Sequence, residues 1–75
     1  MLMTKKVIAK VQADYPEHEQ ASVLEYISLY GAREGELEIE KVRLAILTLA
    51  AGDKEQILAL IRDAKANYTD ILARV

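Results

Sequence analysis

The apolar positions of the chain are densest in the segment 44–51, where Thr48 is the only polar residue. A helix that is apolar around most of its circumference has no face for solvent, so other elements must cover it on more than one side. The segments on either side of it are amphipathic, with apolar residues at spacings of three and four, which is the period of a helix. The pattern therefore predicts a buried helix within a small all-α fold.

The first half of the chain is predicted to form two helices. The first extends from Thr4 to Ala13, and the second from about Pro16 to Tyr30. Proline suits the first turn of a helix, and glycine often follows the last turn. Gly31, directly after the second apolar stripe, is therefore expected to end that helix.

The second half is predicted to form a third helix from about Leu37 to Ala51 and a fourth from Lys54 nearly to the C-terminus. Gly52 is expected to end the third helix and Asp53 to cap the fourth, because these residue types favour those positions. A connection this short makes antiparallel neighbours the simplest arrangement.

The fourth helix has the longest regular apolar pattern. Apolar residues recur at alternating spacings of four and three, at Ile57, Ile61, Ala64, Tyr68, Ile71 and Val75. We favour one unbroken helix because this period continues through residues 67–70, although Asn67 and Thr69 are also stop and start signals. Residues 1–75 are thus predicted to form a single helical domain, a small bundle of three main helices plus a short N-terminal helix.

The composition limits what else the chain can contain. It has no Cys, Phe or Trp and one His, so it offers neither a disulfide framework nor a thiolate metal site, and its core must be aliphatic. The N-terminal apolar run is too short for a signal peptide, and no run approaches the ~20 residues of a membrane span. We expect a cytoplasmic protein without a membrane segment.

Acidic side chains are concentrated in the middle of the chain. Residues 14–40 contain eight acids and one base, Arg33. Four of the acids alternate with other residues and are expected to be exposed: Glu34, Glu36, Glu38 and Glu40. The sequence leaves open whether the segment 34–40 is a docking surface or a solvated face.

Nucleic-acid binding is the alternative function, and it would use Lys5, Lys6 and Lys10, which lie in a stretch without acids. The net charge of −2 argues against it, since proteins that bind polyanions are usually basic. The fourth helix also begins with Asp53 and Glu55, where a recognition helix would present Arg, Lys, Asn or Gln.

The sequence predicts no enzyme active site. His18 lies near Asp14, Glu17, Glu19 and Glu25, but two or three ligands of this kind do not define a metal site, and a solvated helix start is the preferred interpretation. No phosphate-binding loop and no Ser–His–acid arrangement is indicated. We therefore predict no catalytic, cofactor-binding or metal-binding residues.

The apolar surplus of the third and fourth helices indicates an interaction protein. Small domains without disulfides or metals often gain the missing burial by oligomerising, and two-fold dimers are the commonest result. We predict a small helical protein–protein interaction or regulatory module that forms a homodimer or binds an unidentified protein partner. Its interface is predicted at Leu58, Ile61, Tyr68, Ile71 and Leu72. The competing interpretation is a monomeric bundle whose surplus apolar residues form its core. Independently of that choice, Leu47 and Ile61 are predicted to be core residues.

The second half of the chain contains four short motifs, Val42–Leu49, Gly52–Asp53, Ala64–Lys65 and Tyr68–Leu72. Together they resemble a family of short uncharacterised bacterial proteins with an all-helical fold. The resemblance covers roughly residues 40–72 and implies a helical fold and a bacterial origin, but no activity. Thr69 departs from the family, where Arg is expected, and the family's aromatic-acidic tail is missing.

Overall fold

The computed structural model describes residues 3–75, and this range contains five α-helices and no strand. The helices are α1 (Lys5–Asp14), α2 (Glu17–Ile27), α3 (Ile39–Ala50), α4 (Lys54–Ala66) and α5 (Tyr68–Arg74). The prediction of an all-α fold is confirmed. Each helix in this range is too short or too polar to span a lipid bilayer.

Helix α3 lies at the centre of the fold and packs against α1, α4 and α5, while α2 packs against α1 and α4. Val42, Ile46 and Leu47 of α3 are fully buried. The expectation that this apolar helix is covered on more than one side is therefore confirmed. Its low content of polar side chains makes such a position favourable, because each aliphatic side chain that leaves water contributes roughly 1.5–3 kcal/mol.

One aliphatic cluster joins all five helices. Its members with no exposed surface are Val7, Val11, Val23, Ile27, Val42, Ile46, Leu47, Ile57 and Ile71. Leu47 and Ile61 both lie in this core, as predicted. The core thus consists largely of the Val, Ile, Leu and Ala residues that the composition led us to expect, together with the buried Tyr15 and Tyr30.

The chain turns at Asn67, so the predicted unbroken fourth helix is wrong. Asn67 has an extended backbone (φ −160°, ψ 94°), and its side-chain oxygen accepts a hydrogen bond from the amide of Thr69 over 3.2 Å. The new helix, α5, folds back to pack against both α3 and α4. Five helices therefore replace the predicted three main helices plus a short N-terminal one.

The turn between α3 and α4 lies where the sequence predicts it. Ala51 and Gly52 both have positive φ angles, 50° and 86°, a region that glycine enters without strain. Asp53 caps α4, because its carboxylate accepts a hydrogen bond from the amide of Glu55 over 3.0 Å.

The connection between α2 and α3 is longer than predicted. Helix α2 ends at Ile27 instead of Tyr30, and α3 begins at Ile39 instead of Leu37. The Tyr30 ring is buried, and its hydroxyl donates a hydrogen bond to the Leu37 carbonyl over 2.8 Å. At Gly31 a Cβ atom would lie 2.7 Å from the Ile39 side chain. The loop is therefore packed closely against the start of α3.

Candidate interaction surface

Glu36 closes the loop between α2 and α3. Its carboxylate accepts hydrogen bonds from the amides of Gly31 (2.7 Å) and Arg33 (3.1 Å) and pairs with the Lys65 ammonium of α4 at 2.8 Å. Burial alone would raise the pKa of Glu36, but the bonds from Lys65, Arg33 and Gly31 together lower this pKa below its ordinary value. The side chain is only 11% exposed, so the expectation that Glu36 faces solvent is wrong.

Arg43 holds the same loop from the other side. Its side chain is buried, its Nε donates to the Tyr30 carbonyl over 2.9 Å, and its Nη2 donates to the Ser28 carbonyl over 3.4 Å. Burial lowers the pKa of Arg43, and the nearby charge of Glu36 partly opposes that effect. The guanidinium thus satisfies carbonyl groups just beyond the end of α2, which have no partner within the helix.

Arg43 is not among the residues predicted from the sequence, although its position carries a signal. Position 43 lies four residues after Ile39 and three before Ile46, so it falls on the apolar stripe of α3. A charged residue on a buried stripe must find hydrogen-bond acceptors or it would strongly destabilise the fold. Such a position is therefore a candidate for a buried, hydrogen-bonded arginine.

A groove of about 400 Å³ lies between this loop and α4. Leu29 and Leu58 line it and are 46% and 44% exposed, and the buried Ile61 also borders it. Single exposed leucines are ordinary, but these two line the same concave surface, which makes it a candidate contact site. We call this surface the leucine groove.

The edge of the leucine groove is positively charged. Arg33, Arg62 and Lys65 line it together with the leucines. Lys65 is paired with Glu36, whereas Arg33 and Arg62 are exposed and form no ion pair with any residue in the range 3–75. The groove is thus suited to an apolar side chain that is flanked by carboxylates.

A second apolar surface lies between α3 and α5 and shares no residue with the leucine groove. Leu44 and Leu72 are half-buried there, Val75 is 63% exposed, and the cavity measures about 360 Å³. Lys41 supplies its single cation. This surface has no counterpart to the two exposed leucines of the leucine groove, and it has one cation where the groove has three.

The structure does not bring together the five residues predicted as one interface, Leu58, Ile61, Tyr68, Ile71 and Leu72. The first two line the leucine groove, and Leu72 lies on the second apolar surface. Ile71 is fully buried, and Tyr68 borders a polar cleft with Glu36 and Lys65. The turn at Asn67 explains this separation, because residues on one face of a straight helix point in different directions once the helix is broken.

The three lysines of the nucleic-acid alternative all lie on α1. Lys5 and Lys6 are exposed, while the ammonium of Lys10 pairs with Asp14 at 2.9 Å. One of the three charges is therefore partly neutralised within the helix. This lowers the positive potential that the surface could offer to phosphates.

His18 is exposed at the start of α2, with its Nε2 3.6 Å from the carboxylate of Glu19. Within the described part of the chain, no group of three His, Asp or Glu side chains is placed to hold a metal ion. The surroundings of His18 are those of a solvated helix terminus.

Comparisons of the chain with models of known protein families, with curated proteins and with solved structures found no match. The resemblance of residues 40–72 to short bacterial proteins stays a prediction.

Proposed function

We propose that the protein is a small protein–protein interaction module that self-associates through the leucine groove. The observation that supports this most directly is the pair of exposed leucines, Leu29 and Leu58, beside the unpaired cations Arg33 and Arg62. A cytoplasmic location and the lack of enzymatic activity, inferred from the sequence, stay predictions.

The apolar part of the groove provides a driving force for association. Leu29 and Leu58 each leave nearly half of their surface in water, so covering them contributes roughly 1 kcal/mol apiece, about half of the value for burying a whole leucine side chain. Stable interfaces usually have such a central apolar contact surrounded by polar groups. The arginines at the edge would supply that polar rim.

A second copy of the chain is the partner that the charges favour. The groove is positive, whereas the chain as a whole is acidic, with a net charge of −2 and acids concentrated in its middle part. Opposite potentials on two copies steer them together and disfavour other orientations. Self-association also adds burial to a domain that has no disulfide to stabilise it.

Nucleic-acid binding through Lys5, Lys6 and Lys10 is the second candidate, and the exposure of Lys5 and Lys6 is the observation in its favour. It predicts binding to a DNA or RNA duplex that weakens steeply with salt and is lost when the three lysines are changed to Glu. A groove variant such as Leu58→Glu should leave that binding unchanged.

The proposal is tested by amide NMR spectra of the isotopically labelled protein, recorded over a series of protein concentrations. We expect the amide signals of Leu29, Leu58 and Arg62 to shift as the protein is concentrated, because a second copy then covers the groove. The signals of Thr48 and Val75, on the second apolar surface, should stay in place. Shifts confined to the second surface, or spectra that do not change with concentration, would contradict the proposal.

A further inference from the structure

We propose that the group that fills the leucine groove is Leu37 of a second copy, in a two-fold symmetric dimer where each Leu37 enters the other copy's groove. This inference rests on the proposed function, because it requires that the groove is the contact surface. It goes further by naming the segment that occupies the groove and the symmetry of the complex.

Leu37 is the more exposed of the two exposed leucines in a loop that is held in place. Its side chain is 54% exposed, while its carbonyl oxygen accepts the hydrogen bond from the Tyr30 hydroxyl. The neighbouring residue Glu36 anchors the loop through Lys65 and two backbone amides. A projecting side chain on an ordered loop loses little conformational freedom on binding, which favours its use as an anchor.

The charges around Leu37 complement those of the groove. Glu34 and Glu38 lie on either side of it in the chain, and both are exposed. The ion-pair contact of Glu38 is with Lys41 at 4.0 Å, and both of those side chains are largely exposed, so this contact is weak. A second copy would present these carboxylates to the arginines of the groove.

The projecting leucine and the receiving groove are neighbours on one surface of the molecule. Lys65 lines both the leucine groove and the polar cleft that Leu37 borders. A two-fold interface makes each contact twice, so one rotation would place each Leu37 at the other copy's groove.

The size of a stable interface also requires both contacts. Such interfaces bury ~800 Å² per partner, which is about a sixth of the 4789 Å² surface of this chain. One leucine in one groove covers only a small part of that area. Two symmetric contacts, with the loop segments between them, cover more and close the assembly at two copies.

Mixing two complementary variants tests this arrangement. Leu58→Glu places a negative charge in the groove, and Leu37→Lys places a positive charge on the projecting residue. Each variant alone should self-associate at least about tenfold more weakly than the wild-type chain, because both contacts of its homodimer are altered. An equimolar mixture should recover most of the association, since one contact is then native and the other joins opposite charges.

The association is measured by sedimentation equilibrium on each variant and on the mixture, with thermal unfolding by circular dichroism to show that both variants fold. Val75→Glu is the matched control, since it places the same charge on the second apolar surface, and it should associate like the wild-type chain.

Two outcomes would overturn the inference in different ways. If Leu58→Glu weakens the association but Leu37→Lys does not, and the mixture shows no recovery, the groove is used but Leu37 does not fill it. If neither substitution weakens the association, the groove is not the contact surface, and the proposed function fails as well.

Discussion

The side chain of Arg43, in α3, donates a hydrogen bond to the backbone carbonyl of Tyr30, just beyond the end of α2, over 2.9 Å. Arg43 is 2% exposed, and the carboxylate of Glu36, within the loop, accepts hydrogen bonds from two amides of the same loop. The loop that presents both Leu29 and Leu37 is therefore held by two charged side chains. The surface that we propose for self-association is therefore ordered within the single chain.

Replacing Arg43 with Lys should destabilise the protein by about 1–3 kcal/mol. Lysine keeps the charge but lacks the planar donor group, so the carbonyls of Tyr30 and Ser28 lose hydrogen bonds in a buried setting. Urea unfolding measures the effect, and Arg62→Lys, at an exposed position, is the control with little expected change. A free energy of unfolding for Arg43→Lys that equals the wild-type value would show that the bonds do not stabilise the loop.

Glu36 should make the stability of the protein depend on pH in the acidic range. Its pKa is lowered in the folded state, whereas an unfolded Glu titrates near ~4.3. A carboxylate with a lowered folded pKa stabilises the fold above the unfolded pKa, and this contribution is lost as pH falls through the folded pKa. The wild-type chain should therefore lose stability on acidification below about pH 5.

The substitution Glu36→Gln isolates this contribution. The variant should be less stable than the wild-type chain at pH 7, and the difference should shrink as the pH falls below the unfolded pKa of ~4.3. Glu34→Gln, in the same loop but without these bonds, should follow the wild-type pH profile. Parallel profiles for Glu36→Gln and the wild-type chain would refute the assignment of the ion pair with Lys65.

Asn67 should contribute to stability as the N-cap of α5. Asn67→Ala removes the acceptor for the Thr69 amide and should lower the free energy of unfolding by about 1 kcal/mol. Asn67→Asp keeps an acceptor at the helix N-terminus and should remain close to the wild-type value. Equal losses for both variants would indicate that the cap is not what stabilises the turn.

The helix boundaries that the sequence predicts well are those with a local signal. Gly52 and Asp53 define the turn between α3 and α4 because glycine adopts a positive φ and aspartate accepts an amide hydrogen bond. The sequence pattern does not favour the break at Asn67, because the apolar residues continue at helical spacing through Tyr68 and Ile71. The spacing of apolar residues shows which side chains face the core. Because α4 and α5 both face the same core, the spacing does not reveal the break between them.

The proposed contact surface could be predicted from the sequence only in part. Leu58 was named from the apolar pattern, and it lies in the groove. Leu29 is not among the predicted residues, because the groove forms where the loop after α2 packs against α4. A local sequence pattern does not indicate a contact between segments that are far apart in the chain. Glu36 looked like one more solvent-exposed acid, since its partner Lys65 is 29 residues away in the chain.

Leu47 and Leu58 should respond very differently to truncation. Leu47→Ala removes a fully buried side chain and should cost about 2–5 kcal/mol of stability. Leu58→Ala removes an exposed one and should cost less than about 1 kcal/mol in the monomer. Urea unfolding at low protein concentration, where association is negligible, separates the two effects, and a small loss for Leu47→Ala would show that the core is misassigned.

Sedimentation equilibrium over a wide concentration range, on the wild-type chain, Leu58→Glu and Val75→Glu, shows whether the leucine groove joins two copies. We expect the mass of the wild-type chain and of Val75→Glu to rise toward that of two copies, while Leu58→Glu stays near the mass of one copy at the concentrations where the wild-type chain is dimeric. A wild-type chain that stays monomeric at every concentration, or a dimer that only Val75→Glu disrupts, would refute self-association through the groove.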